Sequence, residues 1–215
     1  MPDTEIQRKK DKVKEIKRIF DVIYKDAKCT LDYSKVYELL FSTMLAAQCT
    51  DARVNIVARE LYKKYTCLED FAVADISELE SYVKSTGFFR NKAKNIKLTA
   101  QMLLEKFSGK IPSTMEELTS LPGVGRKTAN IILGDVFNLP AVVTDTHCIR
   151  LARRIGLTSE SQPFKVEMAL QKIIPPDYQS KFCHCLVYHG RQFCMARNPN
   201  CTICPISHLC DSFTM

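Results

Sequence analysis

The segment Leu121-Pro122-Gly123-Val124-Gly125-Arg126-Lys127-Thr128-Ala129-Asn130 constrains this chain more than any other. The 215 residues include only 7 glycines, and two of them fall here, two positions apart. Glycine reaches positive φ without strain and lets another backbone or a ligand come close. Apolar residues at helical spacing lie on both sides, so the turn joins two helices. Upstream, Ser113 and Glu116 have capping-box spacing and open a short helix. Downstream, Ile131, Ile132, Leu133, Val136 and Phe137 give the buried face of a helix from about Gly125 to Phe137. The start of that second helix offers unpaired N–H groups and the positive end of the helix dipole. Together these make an anion site, and phosphate is its natural occupant in a basic chain. Lys127 falls in the first helical turn, where a positive charge is disfavoured. A lysine so placed either reaches an anion or is kept partly neutral for chemistry.

The chain is basic, with 31 Lys and Arg against 24 Asp and Glu, a net charge of +7. That suits a polyanionic partner, although ordinary proteins reach it too. Hydrophobic residues make up 46%, which supports a proper core and excludes a disordered chain. The first ten residues are polar and charged, without the apolar core of a secretion signal. No apolar run nears the roughly 20 residues that span a bilayer. These features predict a cytoplasmic protein, nucleoid-associated in a prokaryote, with no membrane partner. In that compartment the ten cysteines read as thiols, metal ligands or cluster ligands rather than disulfides.

The periodicity is helical almost throughout, and no useful strand alternation or internal repeat occurs. Val13, Ile16, Phe20 and Ile23 form one apolar stripe, ringed by lysines that make a solvated face. Val36 to Ala47 reads as a buried helix, and Thr50 as the N-cap of a helix to about Tyr65. Short helices are expected near Leu68–Phe71 and Ile76–Lys84, and a basic amphipathic one over Phe88–Phe107. The glycine turn therefore has the context that a helix-hairpin-helix needs. Pro140 closes that section. Asp145–Arg154, Phe164–Ile173 and Pro176–Arg191 complete the set.

Cys194, Cys201, Cys204 and Cys210 are separated by six, two and five residues. So short a tail cannot bury a core of its own, and four thiolates around one centre would hold it. Structural zinc favours two close ligand pairs across a longer loop. One Cys-x-x-Cys pair flanked by single cysteines fits a 4Fe–4S cluster better. Cys29, Cys49, Cys67, Cys148, Cys183 and Cys185 read as packing residues.

With these motifs assembled, the chain resembles the endonuclease III family, the bifunctional DNA glycosylase/AP lyases of the helix-hairpin-helix superfamily, over nearly its whole length. The hairpin Leu121–Asn130 is similar to the family's, with Lys127 at the position of its catalytic lysine. Val143-Thr144-Asp145-Thr146-His147 resembles the family's Val-Asp-Thr-His segment, with one residue inserted before the aspartate. Asp145 takes the place of the catalytic aspartate, 18 residues after the lysine. The spacing of the four tail cysteines is the family's cluster spacing. Ala46-Ala47-Gln48-Cys49-Thr50-Asp51 looks like the helix end whose glutamine fills the gap left by a flipped base.

The resemblance implies an all-α, two-domain fold. A six-helix barrel over residues 29–139 would contain the hairpin. Residues 1–28 and 140–215 would form the cluster domain, with a DNA-binding cleft between the two. It implies a monomer acting on double-stranded DNA that contains damaged pyrimidines or abasic sites. Lys127 and Asp145 would be catalytic. Leu121, Gly123, Val124, Gly125 and Arg126 would grip the DNA at the hairpin, Gln48 would fill the vacated space, and Phe88 or Phe89 would wedge into the stack. His147 would orient neighbours or contact backbone. Arg191 and Arg197 would meet phosphates, although the loop between the first two cluster cysteines is basic in the family and here has only Arg197. Adenine-specific mismatch glycosylases of the same superfamily lack this lysine and carry a catalytic glutamate in the earlier helix, where Ser42–Gln48 has no acid. A non-catalytic DNA-binding or iron–sulfur protein would have no need of Lys127 together with Asp145.

Overall fold

A computed structural model describes residues 2–213, which are helical with no strand among them. The helices are α1 (Pro2–Ile23), α2 (Val36–Leu45), α3 (Asp51–Lys64), α4 (Leu68–Val73), α5 (Ile76–Val83), α6 (Phe89–Phe107), α7 (Met115–Ser120), α8 (Arg126–Asp135), α9 (Thr146–Ile155), α10 (Pro163–Gln171) and α11 (Gln179–Gln192). Single 3₁₀ turns at Lys84–Thr86, Pro176–Tyr178, Cys201–Ile203 and Ser207–Leu209 join or follow them. None of these helices is long and apolar enough to cross a membrane. The chain forms two compact units: Thr30–Phe137, and the segments up to Cys29 and from Asn138 onward.

The Thr30–Phe137 unit holds α2 to α8. The long α6 packs on α4 and α5, α2 packs on α3, α6 and α8, and α7 packs on α8. Leu39, Leu40, Phe41, Leu45, Leu61, Phe71, Ile96 and Leu103 are fully buried in its core. Phe41 meets Phe71 edge-on at 4.9 Å. Capping chemistry sets several starts: Thr50 accepts from Arg53 N–H and Asp75 from Glu78 N–H. The helix before the hairpin starts one residue later than expected. Its cap is Thr114, whose hydroxyl accepts from Glu117 N–H at 3.2 Å and donates to Glu117 Oε2 at 2.7 Å. The sequence offers the capping-box spacing twice in succession, Ser113 with Glu116 and Thr114 with Glu117, and the second is used. Some ends also differ from the expected ones. α2 stops at Leu45 and α8 at Asp135, and Phe88 stays outside α6.

The other unit holds α1, α9, α10 and α11, with α9 packed on α10 and α11. Val13, Ile16 and Phe20 are completely buried. Ile23, expected to continue their stripe, is exposed, and Tyr24 takes the inward place because four residues from Phe20 keeps to the same helical row. Phe20 packs against Phe182 at 5.8 Å and His189 at 5.4 Å. The tail is tied back here: the Lys12 ammonium donates to Ile155 C=O at 2.9 Å and pairs with Asp211. Cys148, Cys183 and Cys185 are buried as expected of packing residues, whereas Cys29, Cys49 and Cys67 are only half-buried. Cys29 lies in the loop between α1 and α2 and Cys49 just before α3, while Cys67 is the N-cap of α4, its N–H bonded to Asp70.

Candidate nucleic-acid interface and cluster pocket

The hairpin is α7, a five-residue turn and α8. Leu121 and Val124 are 2% and 6% exposed, so their side chains anchor the turn inward and only their main chain is left for a partner. Thr99 of α6 donates to Pro122 C=O at 2.9 Å and fixes the turn from beneath. Gly123 has φ +76°, and a Cβ there would fall 2.6 Å from Asn95 Nδ2. Both conformation and space demand glycine. Gly125 differs, since its φ of −93° suits any residue and a Cβ would meet nothing within 4 Å. The fold leaves room for a side chain at 125. Gly123→Ala is therefore expected to lower the thermal midpoint by roughly 4–8 °C, from about 2 kcal/mol of left-handed strain and collision. Gly125→Ala should leave it within about 2 °C, and thermal unfolding of the two variants checks both.

Gly125 is the N-cap of α8 and has no side chain with which to cap it. Arg126 and Lys127, the first two residues of the helix, are exposed. Their amides and the dipole thus face outward at an uncapped helix start. Beside the hairpin, Gly123 shares one pocket with Gln48, Phe88, Asn91, Lys92 and Asn95. Gln48 has φ +54° and Phe88 φ +48°, a left-handed conformation that non-glycine residues seldom hold without cause. The two phenylalanines part company. Phe88 is 64% exposed, whereas Phe89 is half-buried with the Arg90 guanidinium 5.0 Å from its ring centre.

In the other unit, Asp145 is half-buried and is the N-cap of α9, its Oδ1 accepting from Cys148 N–H at 2.7 Å. The same helix presents two arginines that sequence reasoning missed. Arg150 donates to Cys194 C=O at 2.9 Å and Gly190 C=O at 3.3 Å, and its Nη2 lies 3.2 Å from His147 Nδ1. Arg154 donates to Met195 C=O at 2.7 Å, Ala196 C=O at 3.0 Å and Cys194 Sγ at 3.4 Å. Their i, i+4 spacing on one helix face was the available signal. His147 is thus engaged with Arg150, while Arg191 and Arg197 are exposed.

Cys194, Cys201, Cys204 and Cys210 line one apolar pocket with Leu151, Ile155, His189, Phe193, Ile206 and Phe213. Among the described residues, no three His, Cys, Asp or Glu side chains converge on a position for a single metal ion. Four soft thiols around one shared space suit an iron–sulfur core. Burial pushes the Cys204 and Cys210 thiols up, so thiolates there require a positive centre. His189 is buried with its Nε2 3.3 Å from Cys204 Sγ and its Nδ1 3.1 Å from the Tyr24 hydroxyl. Burial lowers its pKa to about 4, so the ring is neutral near pH 7.

Residues 41–176 match the family model of the HhH-GPD superfamily base excision DNA repair proteins, and residues 194–210 that of the iron–sulfur binding domain of endonuclease III. The cofactor that belongs to this tail is accordingly a 4Fe–4S cluster. Endonuclease III of Synechocystis sp. is 47% identical over 206 residues, 95% of this chain and 94% of that one. A solved non-covalent endonuclease III–DNA complex is 39% identical with a TM-score of 0.89, over 94% of this chain and 95% of that one. A trapped endonuclease III–DNA covalent intermediate is also 39% identical, with a TM-score of 0.87 over 96% of both chains. A likeness that runs through sequence, fold and cysteine tail alike leaves one placement: the chain belongs to the endonuclease III family of the HhH-GPD superfamily.

Proposed function

We propose that this protein is a bifunctional DNA glycosylase/AP lyase that removes oxidised pyrimidines from duplex DNA and cleaves the resulting abasic site by β-elimination. The observation that carries the reading is Lys127, exposed in the first turn of α8, a helix with no side-chain cap, directly after the hairpin's turn. A 39% identical relative captured as a covalent DNA intermediate supports the same chemistry.

The lesion must leave the stack to be reached. The main chain of Gly123 to Arg126 grips a phosphate without reading sequence. Gly125→Ala, harmless to the fold, should then weaken duplex binding. Gln48 enters the vacated space and hydrogen-bonds the orphaned base. Phe88, the exposed member of its pair, is the wedge. Arg191 and Arg197 add positive charge, and His147 steadies Arg150. The setting is DNA, in the cytoplasm or nucleoid.

Lys127 attacks as the neutral amine. Its Nζ bonds to C1′ as the C1′–N bond to the base breaks, and the base leaves with a proton. The sugar ring opens to an imine on Nζ. Loss of a C2′ proton to a base then breaks the bond from C3′ to its phosphate oxygen, and water releases the lysine from the imine. Asp145 stabilises the positive charge that develops on the sugar. Because Lys127 is exposed in the free protein, the bound nucleotide must provide the dry surroundings. The test is a duplex carrying one oxidised pyrimidine, treated with borohydride. The expected results are strand scission 3′ to the lesion and a reduced covalent adduct; scission without an adduct would sink the lysine route.

Cys194, Cys201, Cys204 and Cys210 are the proposed cluster ligands. The cluster holds the tail on its own unit and takes no part in the steps above. Cys204→Ala is expected to lose the brown visible absorbance and most of its iron, whereas Cys185→Ala, buried outside the pocket, keeps both. Iron retained in the first variant would remove Cys204 from the ligand set.

A further inference from the structure

Lys92 is 6% exposed, and its ammonium donates to Leu45 C=O at 2.8 Å and to Thr86 C=O at 2.7 Å. Both acceptors are terminal: Leu45 is the last residue of α2 and Thr86 the last of the 3₁₀ turn. Carbonyls at helix ends lack intrahelical donors, and a cation there also complements the negative end of the dipole. From these two carbonyls the chain runs three residues to Gln48 and two to Phe88. Each turn arrives at a left-handed, non-glycine residue, and both residues line the pocket that Lys92 itself lines. One buried cation therefore holds the bases of two turns that are far apart in sequence.

We propose that Lys92 is a positioning residue that locks the Gln48 turn and the Phe88 turn into a single insertion unit. This deepens the function proposed above and rests, for its consequence on DNA, on Gln48 and Phe88 entering the duplex. An unclamped turn would relax from its left-handed conformation, and a plug and a wedge that move independently would cost ordering entropy on insertion. The hairpin turn, fixed by Thr99 through Pro122 C=O instead, does not depend on the clamp.

Lys92→Met keeps the apolar stem and removes both donors. Amide hydrogen exchange at residues 46–49 and 86–89 should quicken in both segments, by about ten- to a hundredfold, the range for losing hydrogen bonds from a charged donor. Exchange in α7 and α8 should hold. Lys92→Gln, milder and too short to reach both carbonyls, gives the same reading if the methionine variant fails to fold. Acceleration in one segment only, or in neither, overturns the proposal, and this arm needs no DNA. In the second arm, affinity for a lesion duplex should fall about tenfold while undamaged duplex binding changes less than about twofold. Adding Gln48→Ala to Lys92→Met should then cost less than it does alone. Fully additive losses overturn the coupling. If Gln48→Ala and Phe88→Ala are each without effect on lesion binding, the insertion reading itself has failed, and with it the role of the clamp on DNA.

Discussion

Replacing Lys127 with alanine is expected to abolish the borohydride adduct, base release and strand cleavage together, by at least about a thousandfold, or about 4 kcal/mol of transition-state stabilisation. The fold should not suffer. Lys127 is exposed at the second position of α8, where a positive charge opposes the dipole and alanine is the better helix former. The thermal midpoint should therefore stay or rise slightly, so lost activity cannot be blamed on lost structure. Undamaged duplex binding should survive as well, since the hairpin main chain is unchanged. Single-turnover assays on a lesion duplex and on a preformed abasic site check both halves of the reaction. An adduct that persists in the alanine variant would move the nucleophile elsewhere. Base release that persists without the adduct would make water the attacking group and leave Lys127 for the lyase step alone.

Asp145→Asn is expected to lower the rate by roughly 10²–10⁴-fold while leaving stability nearly untouched, and the choice of asparagine is what makes the result informative. Asp145 caps α9 through its Oδ1, and asparagine caps about as well as aspartate. The substitution removes the charge and keeps the cap. Alanine would remove both, at a cost of about 1 kcal/mol in stability. It would also disturb the helix that carries Arg150 and Arg154, and through them the loop that starts at Cys194. If the asparagine variant keeps its rate within about threefold while alanine loses it, Asp145 is a cap and nothing more. Comparing rates with melting curves for the two variants separates these cases.

Much of this was legible in the sequence where the determining partners are near neighbours. Thr50 and Asp145 cap their helices by bonds to amides three residues on. Gly123 occupies the positive-φ position of a turn whose glycines stand two apart. Ser113 against Thr114 was not resolvable this way, because both satisfy the same local rule. Nor was Phe88 against Phe89, because adjacent aromatics at a helix start are equivalent until something packs on one of them.

By itself, then, the sequence determined the helical class, the hairpin with its lysine, the aspartate 18 residues on and the cysteine tail. All are written in spacings of a few residues, where backbone geometry and ligand chemistry act over one or two turns. The tertiary structure alone decided which phenylalanine faces outward, which cation is buried and which arginines hold the cluster loop. Lys92 finds Leu45 across 47 residues, and Arg150 finds Cys194 across 44. Whether a side chain is desolvated, and which carbonyl repays it, depends on distant segments meeting at one place, and no local pattern encodes that meeting.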